Sequence, residues 1–291
     1  MKKNLRSLMT GSFAVAAAAF AFIACQKGDV QHNETTALKV YLTDHPADYD
    51  QVLVNITTVE AKIDTGKGTC KDDRHGRRPE AFDHHGDDHR SRKDAFGFWQ
   101  TLSFKPGSYD LLTLRNGVDT LLATGTVTGT IRKIRMGVSS VTVVKNGVSY
   151  PVVMAPDLQN FIYVHVHSKE LDKSADSSKV WVDFDVSRSI VEQNGQFYLR
   201  PVLKPFNDRH FGGLEGSVTP ADARVVVTAY GSTDTATAIP DKRGNYCIRG
   251  LDGGNYKLVF DANNGYIDTT INNVAVTAGR KTRIAPVVLK K

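Results

Sequence analysis

From Ala37 onward the chain is built of short runs in which apolar and polar residues alternate, and a period of two leaves few folds open. "LKVYLT", "QVLVNITTVEAKI", "SYDLLTL", "VTVVKNGVSYPVV", "FIYVHVH" and "KVWVDFDV" are rich in β-branched and aromatic residues. Such residues suit a pleated, half-buried surface. "RNGVD", "KNGVS" and "EQNGQ" place Asn-Gly between runs of this kind, the strongest short-range signal for a hairpin. No segment sustains a helical period; at most a short turn of helix follows Asp185. The pattern predicts an all-β chain of two antiparallel β-sandwich domains in tandem, and 41% hydrophobic residues supply enough apolar side chains for both cores.

Two resemblances divide the chain. "YLTDHPADYD", "YDLLTLRNGVDTLLA" and "VDFDVSRSIV…YLRPVLKP", in this order over residues 37–205, resemble an uncharacterised family of bacterial lipoprotein domains. That resemblance implies architecture and location and brings no activity with it. "GLEGSVTPADARVVVTAY", "DKRGNYCIRGLDGGNYKLVFDANNGY" and "NVAVTAGRKTRIAPVVL", within residues 212–291, resemble the carboxypeptidase regulatory-like domain. This is a small prealbumin-like sandwich that serves as an accessory fold without catalytic residues. Tyr246, Ile248 and Leu251 are expected to face its core, with Tyr256, Leu258 and Phe260 on the next strand. Gly244, Gly250 and Gly254 are expected at tight turns. Residues 206–211, inside "LKPFNDRHFGG", form a linker too short for independent tumbling.

The segment 1–24 carries Lys2, Lys3 and Arg6, no acidic residue, and twelve consecutive apolar residues from Phe13 to Ala24. A bilayer-spanning helix needs about 20 apolar residues, so this run reads as a secretory signal. Cleavage after Ala19-Phe20-Ala21 would leave Cys25 as a free thiol near the new terminus. Alternatively, "FIAC" resembles the bacterial lipobox, which implies that Cys25 is acylated and becomes the first mature residue. Diacylglycerol plus an amide-linked chain such as palmitate would anchor it stably, since one acyl chain alone holds marginally. Residues 25–36 then form a polar tether, and "CQKGD" resembles the export signal of Bacteroidota-type lipoproteins displayed on the outer cell face.

Charge argues against nucleic acid as a partner. The formal charge is +6, but three positive residues lie in the signal, leaving 34 basic against 31 acidic side chains. No basic helix or aromatic-basic platform accompanies that small excess. Beyond Cys25 only Cys70 and Cys247 remain. An oxidising compartment permits a disulfide between them, and two unpaired thiols in different domains is the preferred reading.

Three constellations could carry chemistry. The insertion at residues 66–95 holds His75, His84, His85 and His89 among Asp83, Asp87 and Asp88, donors that suit Zn, Ni or Cu. Eight basic and seven acidic residues with almost no apolar content favour a solvated insertion with adventitious divalent-metal binding at most. His165 and His167 alternate on one strand and share a face, with Val164 and Val166 turned to the core. No third ligand accompanies them, so solvent-facing polar side chains are the simpler reading. Asp44, with Asp48 and Asp50 nearby, and the pair Asp183 and Asp185 form the third; Asp183 and Asp185 lie opposite Val182, Phe184 and Val186. Paired carboxylates serve acid–base work or calcium, while turn capping explains them without a ligand.

No GxSxG elbow and no Gly-rich turn leading into a helix occurs. Phe96, Phe98 and Trp99 are expected to pack under the insertion; an exposed aromatic stripe there would instead favour carbohydrate. The leading expectation is a non-enzymatic outer-membrane lipoprotein without a cofactor. Its partners would be the membrane, through its lipid, and an envelope protein or glycan. A metal-binding envelope protein using the His/Asp-rich loop, or an envelope hydrolase or glycan-active enzyme with an acidic site, are the alternatives.

Overall fold

A computed structural model describes residues 35–45, 47–65, 97–158, 160–174 and 176–291. Cys25, Cys70, His75, His84, His85, His89 and Phe96 lie outside the described residues. The described chain is nearly all strand, in two sandwiches with separate hydrophobic cores.

One sheet of the N-terminal sandwich centres on Thr35–His45, between Ser177–Asp185 on one side and Thr120–Thr128 on the other. Leu203–Phe206 also pairs with Ser177–Asp185. The facing sheet centres on the long pair Gln51–Asp64 and Thr130–Lys145, extended by Val148–Met154 and Phe98–Thr101. The alternation read from sequence is the alternation of burial. Leu38, Val40 and Leu42 pack inward beside Val180, Val182 and Phe184, all nearly inaccessible.

Thr35–His45 and Ser177–Asp185 run parallel, with Val40 opposite Val180, Thr43 opposite Asp183 and His45 opposite Asp185. The sandwich is therefore not purely antiparallel. Side-chain period is the same in both pairings, so periodicity alone does not distinguish them. The parallel register carries Thr43, His45, Asp183 and Asp185 to one face at one end of the sheet.

Of the three Asn-Gly pairs read above as hairpin signals, two close hairpins. Asn146 and Gly147 join Thr130–Lys145 to Val148–Met154, and Asn194 and Gly195 join Ile190–Gln193 to Gln196–Leu199. All four have φ between +53° and +75°, as a type I′ turn requires. Asn116 and Gly117 share that conformation but turn no hairpin. They follow a short 3₁₀ turn, Leu111–Leu114, and carry the chain from one sheet to the other. Asp185 caps the α-helical turn Val186–Ser189, the one among the described residues, accepting the Arg188 N–H at 3.0 Å.

The C-terminal sandwich packs Gly212–Thr219, flanked by Asn245–Leu251 and Lys281–Arg283, against Val226–Tyr230 and Gly254–Asp261. Tyr246, Ile248, Leu251, Tyr256, Leu258 and Phe260 are its core, with the Tyr246 and Phe260 rings edge to face at 5.9 Å. Gly244, φ +83°, sits in the turn before Asn245–Leu251, whereas Gly250, φ +70°, lies inside that strand where its register with Gly212–Thr219 shifts, a bulge and not the expected turn. Gly254 begins a strand, and a Cβ there would meet nothing within 4 Å. At Gly244 a Cβ would lie 2.1 Å from the Val218 carbonyl oxygen. Gly147 also has positive φ, +75°, with open space around it. Gly147→Ala should therefore cost about 1 kcal/mol, the left-handed penalty alone. Gly244→Ala should cost more than about 2 kcal/mol, because a backbone clash adds to the same penalty. Urea melts of the two variants check the difference.

Candidate functional site

Of the acidic residues that the sequence offered as a candidate cluster, Asp44, Asp183 and Asp185 lie near one another, where the C-terminal sandwich covers the outer face of the N-terminal sheet, and Asp48 and Asp50 do not join them. Asp183 is 2% exposed and pairs with the His45 imidazole through Oδ2 and Nδ1. The Thr43 hydroxyl lies 3.0 Å from the Leu114 carbonyl and 2.8 Å from that of Val118, donating to one at a time. That bond ties the strand end to the 115–119 turn. Asp44, on the core-facing side, accepts the Val186 N–H at 3.3 Å. Asp185 is occupied by its helix cap, by Ser187 and by Arg188, whose Nε donates at 2.6 Å.

Burial, with Asp183 and Asp185 nearby, pushes the Asp44 carboxyl well above the ordinary range, against the opposing pull of the Val186 N–H and Arg115. For His45 burial works against the charge, and the Asp183 carboxylate outweighs it, so the imidazole holds its proton above the usual value. Thr43, Asp44, His45, Asn116 and Asp183 line a cavity of about 20 Å³ that is closed from the other side by residues including Arg249. It has room for about one water molecule. Asp44 Oδ2, Asp183 Oδ1 and Asn116 Oδ1 are buried with no protein partner.

Around this cluster the two sandwiches are joined by Arg249. It comes from Asn245–Leu251, on the face opposite the core residues Ile248 and Leu251. Its Nη1 donates to Asp119 at 2.8 Å, and its Nη2 and Nε donate to Asp208 at 2.7 and 3.3 Å. The guanidinium centre lies 5.3 Å from both the Trp181 and the Phe206 ring centroids. Trp181 Nε1 donates to the same Asp119 oxygen at 2.7 Å, and Tyr41 stacks on the far face of Trp181 at 4.8 Å. The 115–119 turn adds two contacts. Asn116 Nδ2 donates to the Ile239 carbonyl at 2.8 Å, and a Cβ on Gly117 would come within 3.0 Å of Cys247 Sγ. Lys204 pairs with Asp234 across the same junction.

The short linker is itself ordered. Asn207 is fully buried; its Oδ1 accepts the N–H groups of Arg209 and His210 at 2.9 and 2.7 Å, and its Nδ2 donates to the Lys169 carbonyl at 2.6 Å.

A family model described as a domain of unknown function, DUF4382, matches residues 35–201, more than half of the 291. The chain belongs to the DUF4382 family. No curated protein matches it. Among solved structures, a type II cohesin–X-dockerin complex from Acetivibrio cellulolyticus shares 20% identity over 27% of this chain and 56% of that one, with a TM-score of 0.22. This chain thus spans little more than half of that structure. A minor pilin of Streptococcus agalactiae shares 14% over 87% of this chain and 95% of its own, TM-score 0.22. A shaft pilin of Lactobacillus rhamnosus GG shares 8% over 88% and 98%, TM-score 0.21. Similarity at this level passes neither ligand nor activity to this chain.

Within the DUF4382 domain the remaining expected residues stay apart from the cluster. Val164 and Val166 are buried and His165 is exposed on the other sheet, but the strand Phe161–His165 ends there, so His167, expected on the same strand, instead precedes the 3₁₀ turn Ser168–Glu170. His167 lies 3.4 Å from Glu170, whose carboxylate also accepts the His167 N–H in a capping arrangement. Among the described residues, no group of three or more His, Cys, Asp or Glu side chains is placed to hold a metal ion. Asp48 lines a cleft of about 800 Å³, which lies mainly on the C-terminal sandwich around Pro220, Arg224 and Pro240. Asp50 caps the Asn146–Gly147 hairpin through the Gly147 N–H at 2.8 Å. Cys247 is free and half-buried, and burial pushes its thiol up, so it is a poor nucleophile.

Arg249, Asp119, Asn116, His45 and Asn207 were not singled out by sequence. Arg249 alternates with core residues and reads as a solvent-facing strand position; only the second sandwich makes it an anchor. Arg249→Ala should lower stability by about 1–3 kcal/mol, at the modest end if the exposed Asp208 rehydrates. Arg249→Lys should recover little, because an ammonium lacks the planar fork. A double-mutant cycle with Asp119→Asn, read by urea denaturation, should show coupling of at least about 0.5 kcal/mol.

Proposed function

We propose that this chain is a non-enzymatic envelope protein, anchored by a lipid on Cys25, in which two locked sandwiches present a binding or scaffolding surface to a protein or glycan partner. One observation carries the reading. The cluster of titratable residues that could have formed an active site is sealed beneath the second sandwich, in a cavity of about 20 Å³. No substrate reaches Asp183 without parting the junction. Its side chains are spent on each other, on a helix cap and on the 115–119 turn. Active-site carboxylates would need an open face toward a reacting group.

Residues 212–291 fit this role as a carboxypeptidase regulatory-like accessory domain, whose contribution is to stiffen and extend the first sandwich. The anchor reading rests on the basic start, the twelve-residue apolar run and the cysteine that closes it. The polar stretch 25–36 then spaces the fold from the bilayer. Among the described residues no helix is long and apolar enough to cross a membrane.

Cells fed an alkyne-bearing palmitate analogue should label the wild-type chain and not Cys25→Ser, which should leave the membrane fraction. Equal fractionation of both, without label in either, would remove the anchor. The non-enzymatic part is tested separately on purified protein with ester, peptide and glycoside panels. Turnover abolished by Asp183→Asn would establish an enzyme in its place.

A further inference from the structure

The contact between the sandwiches contains more ionisable groups than packing alone calls for. The Arg249 fork and its stacking on Trp181 and Phe206 already join the two parts, yet Asp44 and Asp183, almost fully buried, and the largely covered His45 sit beneath them. Charged groups taken out of water are strongly unfavourable unless matched. Here the match is partial, since one oxygen of Asp44 and one of Asp183 have no protein partner. What balances such a cluster is protons, and the number of protons bound changes with pH.

We propose that the junction is a proton-controlled latch: protonated His45 against Asp183, with a protonated Asp44 behind it, holds the C-terminal sandwich closed, and loss of these protons loosens it. The proposal goes beyond the scaffold reading and does not depend on the lipid anchor.

The surroundings set the direction. Ser177–Asp185 contributes Asp183 and Asp185, both of which favour a charged His45; Asp185 is itself tied to Arg188. From Leu203–Phe206 comes Lys204, which opposes that charge and is paired with Asp234 of the second sandwich. Arg115, at the start of the turn, favours an ionised Asp44 and is outweighed by burial and the two aspartates. Asp119 lies in the same turn, bound to Trp181 and Arg249. The C-terminal sandwich brings Arg249 and Cys247 to the cavity wall, and the linker brings Asp208, held by Arg249.

Both His45 and Asp44 bind their protons more tightly in the folded chain than in the unfolded one. A group with a raised folded value contributes stability that is complete below its unfolded pKa and is lost as pH rises through the folded one. For His45 the contribution is whole below about 6.5 and fades above it. For Asp44 it is whole below about 3.9 and fades toward its own higher folded value. The two losses have the same sign, so alkalinisation opens the latch and mild acid closes it. Carboxylates that are simply ion-paired would give the opposite trend.

The chain has two tryptophans, Trp99 and Trp181, and Trp181 is the one at the junction. In a Trp99→Phe background, Trp181 emission reports the latch. Raising pH from 6 to 9 should shift that emission reversibly to the red, with far-UV circular dichroism unchanged. His45→Gln, which cannot take the proton, should give the red-shifted emission already at pH 6. Asp44→Asn, a mimic of the protonated carboxyl, should keep the pH 6 emission to higher pH. Tryptic cleavage in the linker at Arg209, with all three proteins compared at pH 8, should rank His45→Gln fastest and Asp44→Asn slowest, at least about threefold apart. Emission independent of pH, or the same pH curve in wild type and both variants, would overturn the latch. Should His45→Gln fail to fold, the Asp44→Asn comparison decides alone.

Discussion

A single guanidinium holds together surfaces from three parts of the chain. Arg249 reaches out of the second sandwich and lies against Trp181 and Phe206 on the first. Its donors divide between Asp119, in the turn, and Asp208, in the linker. Burial works against its charge, and the two carboxylates outweigh that, leaving it more firmly protonated than a free arginine. A planar, weakly hydrated cation suits this position, because it stacks and forks at once. Everything beneath it follows from the closure. With the C-terminal sandwich seated here, Thr43, His45 and Asp183 lie beneath a closed junction.

Closure also explains why a cluster of carboxylates can be structural. Two aspartates and a histidine on an exposed sheet face would remain hydrated and would contribute little to stability. Under a second sandwich they become costly groups that are tolerated where they specify one way of docking. A hydrophobic replacement would pack as well in several orientations, whereas the parallel register leaves His45 one place to meet Asp183. The same logic covers Asn207. Its buried amide satisfies two N–H groups of the linker and the Lys169 carbonyl of the first sandwich, so the chain leaves that sandwich in one direction.

Much of the fold was legible because alternation is a local property. Val182 and Phe184 turned inward and Asp183 and Asp185 outward, as a period of two demands. The core residues of the second sandwich could be named for the same reason. Legibility ended where the answer depended on which strands meet. Nothing in "KVYLTDH" or "KVWVDFDV" states that these runs lie parallel and in register, yet that pairing builds the cluster. The Asn-Gly rule correctly assigned the left-handed pair at Asn116 and Gly117 but not its use, since turn conformation does not reveal which sheet the next strand joins. Gly250 and Gly254 show the reverse error: glycines read as turn residues that lie in strands, one at a bulge and one where none is needed. Arg249 gave no local sign because its importance is conferred wholly by the other sandwich.

A second arginine–aromatic contact among the described residues shows that stacking alone does not make a recognition platform. On the outer face of the second N-terminal sheet, Arg135 lies 4.1 Å from the Trp99 ring centroid and 4.4 Å from that of Phe161, with Glu60 at 2.5 Å. An exposed aromatic stripe would have favoured a sugar ligand, and Tyr163 is 43% exposed beside this group. A pyranose needs a ring face to lie on, and the guanidinium already occupies faces of both Trp99 and Phe161. Glu60 holds it there, so displacing it would leave that carboxylate without its partner on a half-buried surface. The chemistry resembles that of Arg249, with a different consequence. Arg135 closes a sheet face on itself, whereas Arg249 spans two sandwiches and gives their junction one geometry.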